Sequence, residues 1–412
     1  MNTLPNECLF EIFDNFRNQY RCLFYCLLVN RLWCKIIIPI LWRNPTDHFI
    51  DKRVLKLCLS TLNDKEQTRL IPFKLNLPKF PNKLFEYTSY ATSVESYRFN
   101  QPIINWLRGK EFKSMYRSLI IVDGNYYLPI MVVKFSLIEM FLRTCKKLKL
   151  LNFDGIIFDK TIFNNLYGNA TITSLEFRAR KSNSEAIEIL VEIIRKNFIK
   201  YLNLSDNKDF NSEEWNAIAE AFHQNTTITS LDLSYNQLDF IREALRKNIG
   251  LVALAISCNA VDISDREHLP LNTFGFNEMK ALAEALCVNT TLTILCVVQN
   301  YFGFEFAELL AEVLYKNITL TKLEIGIEVL AEVLCKNISL STLNLCCNGI
   351  DSRGVKALEK VIYMNTTLTY LNLSKSNIDF EDSKVLMEAL SKNLTLITLN
   401  IGHNNRLHFN LL

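Results

Sequence analysis

The chain has 412 residues, 49% apolar and 22% charged, with a formal net charge of +3, so it can bury a large core and is not intrinsically disordered. It contains only 11 Gly and 9 Pro, and no long Ser/Gly-rich or Pro-rich run, which excludes extended flexible linkers.

At the amino terminus, MNTLPNECLF lacks the basic-then-apolar order of a secretory signal. Residues 4–42 then read LPNECLFEIFDNFRNQYRCLFYCLLVNRLWCKIIIPILW. Opened by Asn6 or Thr3, a first helix places Leu9, Ile12, Phe13 and Phe16 on one apolar stripe. A second helix is predicted over Leu23 to Asn30 and a third over Arg31 to Ile38, broken at Pro39. Three helices in so short a span make a marginal core, which a partner would stabilise.

This wording resembles an F-box: Leu4-Pro5, Glu7, Leu9, Ile12 and Phe13 match its opening, Val29 and Trp33 its middle, and Pro39, Leu41 and Trp42 its close. The resemblance implies docking on the Skp-type adaptor of a cullin-based ubiquitin ligase, with Leu4, Pro5, Leu9, Ile12, Phe13, Val29 and Trp33 as interface candidates. The alternative is that Ile12, Val29 and Trp33 form the module's own core. The acidic-Leu pair that usually opens the second F-box helix is replaced here by Arg21 to Leu23.

Residues 46–147 are expected to form a helical connection with degenerate early repeats. A helix is predicted over 51–70, a Pro-punctuated connection after it, and a helix then a strand over INWLRGKEFKSMYRSLIIVDG.

Residues 148–412 repeat the frame L-x-x-L-x-L-x-x-N, as in ITSLDLSYN (228–236), LTILCVVQN (292–300), LSTLNLCCN (340–348) and LITLNIGHN (396–404). Alternating apolar positions four and six predict a short strand with one buried face. Segments such as ELLAEVLYKNIT predict a helix between strands, ended by Asn. The Asn at position nine can satisfy backbone groups where the chain leaves the strand. Spacing and wording resemble leucine-rich repeats of the ribonuclease-inhibitor type, found also in the sensor arms of NOD-like receptors. The implied fold is an α/β solenoid of about nine or ten units, with parallel strands on the concave side and helices on the convex side, preceded by the small three-helix head (residues 1–45).

Three departures stand out. A spacing of 41 between Leu251 and Leu292 implies a looped-out insertion around Ile263 to Phe274. A spacing of 20 between Leu320 and Leu340 implies a flattened unit, and Leu412 closely follows a strand without a capping helix, so the last unit is expected to be truncated or covered. The N-x-S/T sequons at Asn169, Asn225, Asn289, Asn317, Asn337, Asn365 and Asn393 sit three residues before a strand Leu or Ile. They read as a copied helix end and turn rather than as glycan acceptors.

No phosphate-binding Gly-rich loop, H-E-x-x-H or nucleophile elbow is present, and the five histidines are scattered, so no catalysis is expected. Twelve cysteines show neither disulfide nor zinc spacing, and Cys346-Cys347 reads as an ordinary thiol pair. No cofactor or metal is expected, and no apolar run reaches membrane-spanning length. Residues 1–150 carry 23 Lys/Arg against 12 Asp/Glu and residues 151–412 carry 23 against 31, with no basic cluster of the kind that binds nucleic acid. Binding falls to the outward position five of each strand: Glu176, Asn203, Asp232, Ala255, Cys296, Glu324, Asn344, Asn372 and Asn400. That row is polar and slightly acidic, favouring a basic or hydrogen-bonding protein target; Asn or Asp there is also ordinary repeat wording. The expected function is therefore a cytoplasmic or nuclear substrate receptor, monomeric outside its ligase, joined to the Skp-type adaptor and through it to a cullin. Alternatives are a non-ubiquitin interaction or sensor protein, and a regulator like the GTPase-activating protein of Ran, whose functional arginine has no counterpart placed here.

Overall fold

The computed structural model describes residues 4–404 except 76, 79–83, 109–127, 155–159, 170, 179–183, 208, 237–249, 257–275, 298–312, 315, 326–333, 336, 347–349 and 351. The chain divides into two compact units, Met1–Ile193 and Ile194–Leu412.

The first unit opens with a head of three helices, α1 (Asn6–Asp14), α2 (Tyr20–Leu27) and α3 (Arg31–Leu41). Leu9, Phe13, Leu23, Ile37 and Ile40 form its buried centre. Three boundaries differ from expectation. Pro5 precedes α1 as its cap residue, its fixed φ suiting a helix start, and no side chain caps the helix; Thr3 lies outside the described residues. Helix α2 starts at Tyr20 and ends at Leu27, which leaves Asn30 to cap α3 by accepting the Trp33 N–H at 2.9 Å. Helix α3 runs through Pro39 to Leu41. The proline deprives the Lys35 carbonyl of its donor, but Lys35 is exposed and water can take the bond.

The expected helix over 51–70 is two helices, α4 (Lys52–Leu59) and α5 (Asp64–Thr68), because Asn63 and Glu66 form a capping box that starts a new one. Helices α6 (Asn100–Arg108) and α7 (Leu128–Thr144) follow; the strand predicted between them falls on residues outside those described. Strands β1 (Ser93–Glu95), β2 (Leu150–Asp154) and β3 (Ser174–Arg178) pair in parallel, with α8 (Lys160–Tyr167) between β2 and β3 and α9 (Ser184–Arg195) after β3. The strand ladder thus begins within the stretch read as a connection.

The second unit carries β4 (Tyr201–Asn203), β5 (Ser230–Asp232), β6 (Ala253–Ala255), β7 (Ile294–Val297), β8 (Lys322–Ile325), β9 (Thr342–Asn344), β10 (Tyr370–Asn372) and β11 (Thr398–Asn400). Each pairs in parallel with the next in chain order. Its described helices are α10 (Ser212–Gln224), α11 (Phe276–Val288), α12 (Ser352–Met364) and α13 (Phe380–Lys392). Register survives both irregular spacings: Leu254 pairs with Leu295 across the 41-residue repeat, and Leu323 with Leu343 across the 20-residue one. The insertion around 263–274 and most of the short unit's expected helix lie outside the described residues.

Position four is buried in every strand from β4 to β10: Leu202, Leu231, Leu254, Leu295, Leu323, Leu343 and Leu371 are at most 2% exposed. Each buried leucine is worth roughly 1.5–3 kcal/mol, realised only when the neighbouring unit covers it. The N-x-S/T turns stitch the units together. Asn317 Oδ1 accepts the N–H groups of Thr319 and Leu320 at 3.0 and 2.8 Å, while its Nδ2 donates to the Leu286 carbonyl of the preceding unit at 2.8 Å. The Thr319 hydroxyl adds a bond to the Leu292 carbonyl. Asn225, Asn337, Asn365 and Asn393 repeat the arrangement, reaching Ile194, Leu314, Leu334 and Ile362. Asn225 and Asn393 follow their helices with extended backbone, so they end them by side-chain bonds and not by a left-handed turn. At position nine, Asn236 Nδ2 donates to the Leu204 and Leu233 carbonyls and Asn404 Nδ2 to those of Leu373 and Ile401. In β10's frame Ser376 takes this place, its hydroxyl reaching the Leu345 carbonyl.

Candidate functional site

The seven head candidates divide by burial. Leu9 and Phe13 belong to the head core, and Trp33 is half-buried with its ring edge-on to Phe13 at 4.9 Å. Leu4, Pro5, Ile12 and Val29 are exposed, so the alternative of Ile12 and Val29 as core residues does not hold. Sequence reasoning missed the larger part of this surface. On α2 and the turn after it, Phe24 is 55%, Tyr25 69%, Leu28 64% and Val29 60% exposed, and Phe16, Tyr20 and Leu32 are exposed beside them. The signal was present: YRCLFYCLLV has more apolar residues than one buried stripe can use, and Leu23 already fills the core position. Between α1 and α3 an open groove of about 420 Å³ has Phe10, Ile36 and Pro39 in its lining and Glu7, Glu11 and Lys35 around them.

The head is fixed to the first strand. The Arg43 carbonyl, just past α3, accepts the N–H groups of Thr92 and Ser93 at 2.8 and 3.1 Å. Between repeats the same paired bond recurs, as when the Thr92 carbonyl accepts from Lys149 and Leu150. Arg43 therefore stands where a preceding repeat would, and its guanidinium holds Asp14 of α1 at 2.9 Å. Around this joint Asn44 Nδ2 donates to Glu95 at 2.8 Å, and Arg98 bonds Glu95 at 2.6 Å and Asp47 at 3.0 Å. Burial opposes ionisation of Glu95, but hydrogen bonds from Tyr97, Arg98 and Asn44, with the Arg98 charge, outweigh it and hold the carboxyl below its ordinary range.

The strand candidates form register rows. In the second unit Asn203, Asp232, Ala255, Cys296, Glu324, Asn344, Asn372 and Asn400 pair successively. In the first unit Glu176 pairs with Asn152 and Asn152 with Glu95, two row members the sequence frame did not supply. Many of these side chains also serve the backbone: Asn203, Asp232, Asn344, Asn372 and Asn400 each accept the N–H two residues on. Glu176 accepts from Asn152 at 2.6 Å.

A protein-family model described as Leucine Rich repeat matches residues 224–239, 336–358 and 365–381, which hold the Asn225, Asn337 and Asn365 turns and the strands after them. The chain carries leucine-rich repeats. No F-box domain is detected in the same comparison, and no curated protein matches the chain. Among solved structures, a Bacteroides fragilis protein is similar at 13% identity and a TM-score of 0.39, over 57% of this chain and 67% of that one. The second actin-binding site of leiomodin-1 is similar at 17% identity and a TM-score of 0.24, over 49% of this chain and 86% of that one. Leucine-rich repeats make this a protein-interaction array, and among the described residues no helix is long and apolar enough to cross a membrane.

Proposed function

We propose that this protein is the substrate-recognition subunit of a cullin-based, SCF-type ubiquitin ligase, non-catalytic itself. Its head docks on the Skp-type adaptor, and the strand face of its leucine-rich repeats receives an unidentified protein target. One observation carries the reading: the head closes its own small core yet leaves a contiguous stretch of sequence, Tyr20 to Leu32, with six large apolar side chains in solvent. A patch of that kind on a small module is a protein-docking surface. The protein's contribution is proximity between target and charged conjugating enzyme, delivered through the joint at Arg43.

The test is co-purification of adaptor and cullin with the full chain. Leu28→Asp with Val29→Asp changes only exposed positions and is expected to abolish capture; undiminished capture would sink the reading. Leu9→Asp is unsuitable, because Leu9 sits in the head core and its loss unfolds the surface under test. A repeat-only interaction protein is the second reading, favoured by the family match falling on the repeats alone; it expects no adaptor capture by the unaltered chain.

A further inference from the structure

The open face of β9, β10 and β11 has a polarity that its composition conceals. Asn344, Asn372 and Asn400 stand in register across these strands. Each spends its Oδ1 on the backbone N–H two residues on, of Cys346 at 3.1 Å, Ser374 at 3.0 Å and Gly402 at 3.0 Å. Those bonds decide which end of each amide is oxygen. Each Nδ2 is a donor, and none of the three has a hydrogen-bond acceptor among the described residues. The face therefore presents one NH2 per strand, about 4.8 Å apart. Beside them at position three stand the hydroxyls of Thr342, Tyr370 and Thr398.

The rim is basic. Lys375 and His403 are exposed in the turns where β10 and β11 end, held there by left-handed backbone at φ 55° and 56°. None of the three strands contains a carboxylate. Among the described acids of this stretch, Glu359, Glu381, Asp382 and Glu388 lie on α12 and α13 and Asp379 caps α13. At β5 the polarity is opposite: Asp232 makes the same backbone bond, to Ser234 at 2.9 Å, and keeps a free-facing carboxylate oxygen in place of an NH2.

Three amide donors in register, with a lysine at their edge and no carboxylate on their strands, are complementary to a ligand rich in acceptors. We propose that the β9–β11 face binds an acidic, extended peptide segment of the target, whose carboxylates and backbone carbonyls accept from Asn344, Asn372 and Asn400, with Lys375 at the rim. A peptide fits better than a nucleic acid, which needs several phosphate-neutralising cations where this face has one lysine and one histidine. The acid excess of residues 151–412 also repels a polyanion more than a short peptide. The proposal rests on the strand face as the target's site and is independent of the head.

The test is fluorescence anisotropy of the full chain with labelled octapeptides of alternating Glu-Ala, Gln-Ala and Lys-Ala, and with a single-stranded oligothymidylate. The Glu probe is expected to bind at least about tenfold more tightly than the other three. The triple variant Asn344→Asp, Asn372→Asp, Asn400→Asp keeps each backbone bond, as Asp232 does, but turns donors into acceptors. It should lose the Glu probe by at least about tenfold at an unchanged melting temperature and gain the Lys probe. Should that variant fold poorly, Lys375→Glu, at an exposed position, is expected to weaken the Glu probe severalfold. Equal binding of Glu and Gln probes, tighter binding of the oligonucleotide, or retention of the Glu probe by the folded variants overturns the proposal. Adaptor capture measured on the same samples separates the two claims, since each readout can fail while the other holds.

Discussion

Asn365 Nδ2 lies 2.6 Å from the carbonyl oxygen of Leu334, 31 residues earlier in the chain. The Oδ1 of the same side chain accepts the N–H groups of Thr367 and Leu368 at 2.9 and 2.7 Å, and the residue is 5% exposed. One amide thus closes its own turn and anchors the unit to the one before it. Asn365→Ala leaves buried donors and acceptors unpaired and is expected to cost about 2–3 kcal/mol. Asn365→Asp should cost more, because its carboxylate would face the Leu334 carbonyl out of water. Urea unfolding followed by circular dichroism measures both; a midpoint unchanged from the unaltered chain would show that the turn does not couple the units.

The same geometry bears on glycosylation. In Asn225, Asn317, Asn337 and Asn365 the amide nitrogen that a glycan would occupy is buried and already donates to the preceding unit. Folded protein is expected to accept no glycan at these positions from an oligosaccharyltransferase. Chain directed through the endoplasmic reticulum, and modified before it folds, should fail to stack its repeats. Endoglycosidase-sensitive protein with native circular dichroism and modified Asn365 would contradict this.

The repeat wording was legible because buried leucines and turn asparagines recur, and recurrence is what a stacked unit imposes on sequence. Strand β1 was not legible, although it obeys the same frame. Its buried positions are Ala91, Val94 and Ser96, with Phe99 where the frame has Asn, and Phe99 stacks on Phe49 at 5.2 Å. The joint at Arg43 was equally hidden, since it is made by a backbone carbonyl that any residue would offer. In the head, spacing places Leu9 and Phe13 on one stripe with Ile12, but only the packed helices show which of them face inward.

That division predicts how head variants behave. Leu9→Ala removes a core side chain and is expected to destabilise the head by about 2–4 kcal/mol, enough to melt so small a module locally. Val29→Asp, on the exposed turn, should change stability by no more than about 0.5 kcal/mol while removing a large part of adaptor capture. Hydrogen exchange of residues 6–41 distinguishes the two: rapid exchange in Leu9→Ala and native protection in Val29→Asp. Loss of protection in Val29→Asp would place that side chain in the core.

The joint should be sensitive to acid. Glu95 has its carboxyl pKa below the ordinary value of 4.5 because, against the opposing effect of burial, Tyr97, Arg98 and Asn44 hydrogen-bond its charged form. A carboxyl with a depressed folded-state pKa contributes stability that is complete above its unfolded pKa and is lost as pH falls through the folded one. The unaltered chain is therefore expected to melt higher than Glu95→Gln at pH 6 to 7. That gap should hold down to about pH 5 and close as the pH drops below about 4.5, when the unaltered carboxyl is itself neutralised. Melting temperatures of the two chains across this range check the sign. A gap that stays constant down to pH 3 would mean that Glu95 acts there through shape and not through its charge.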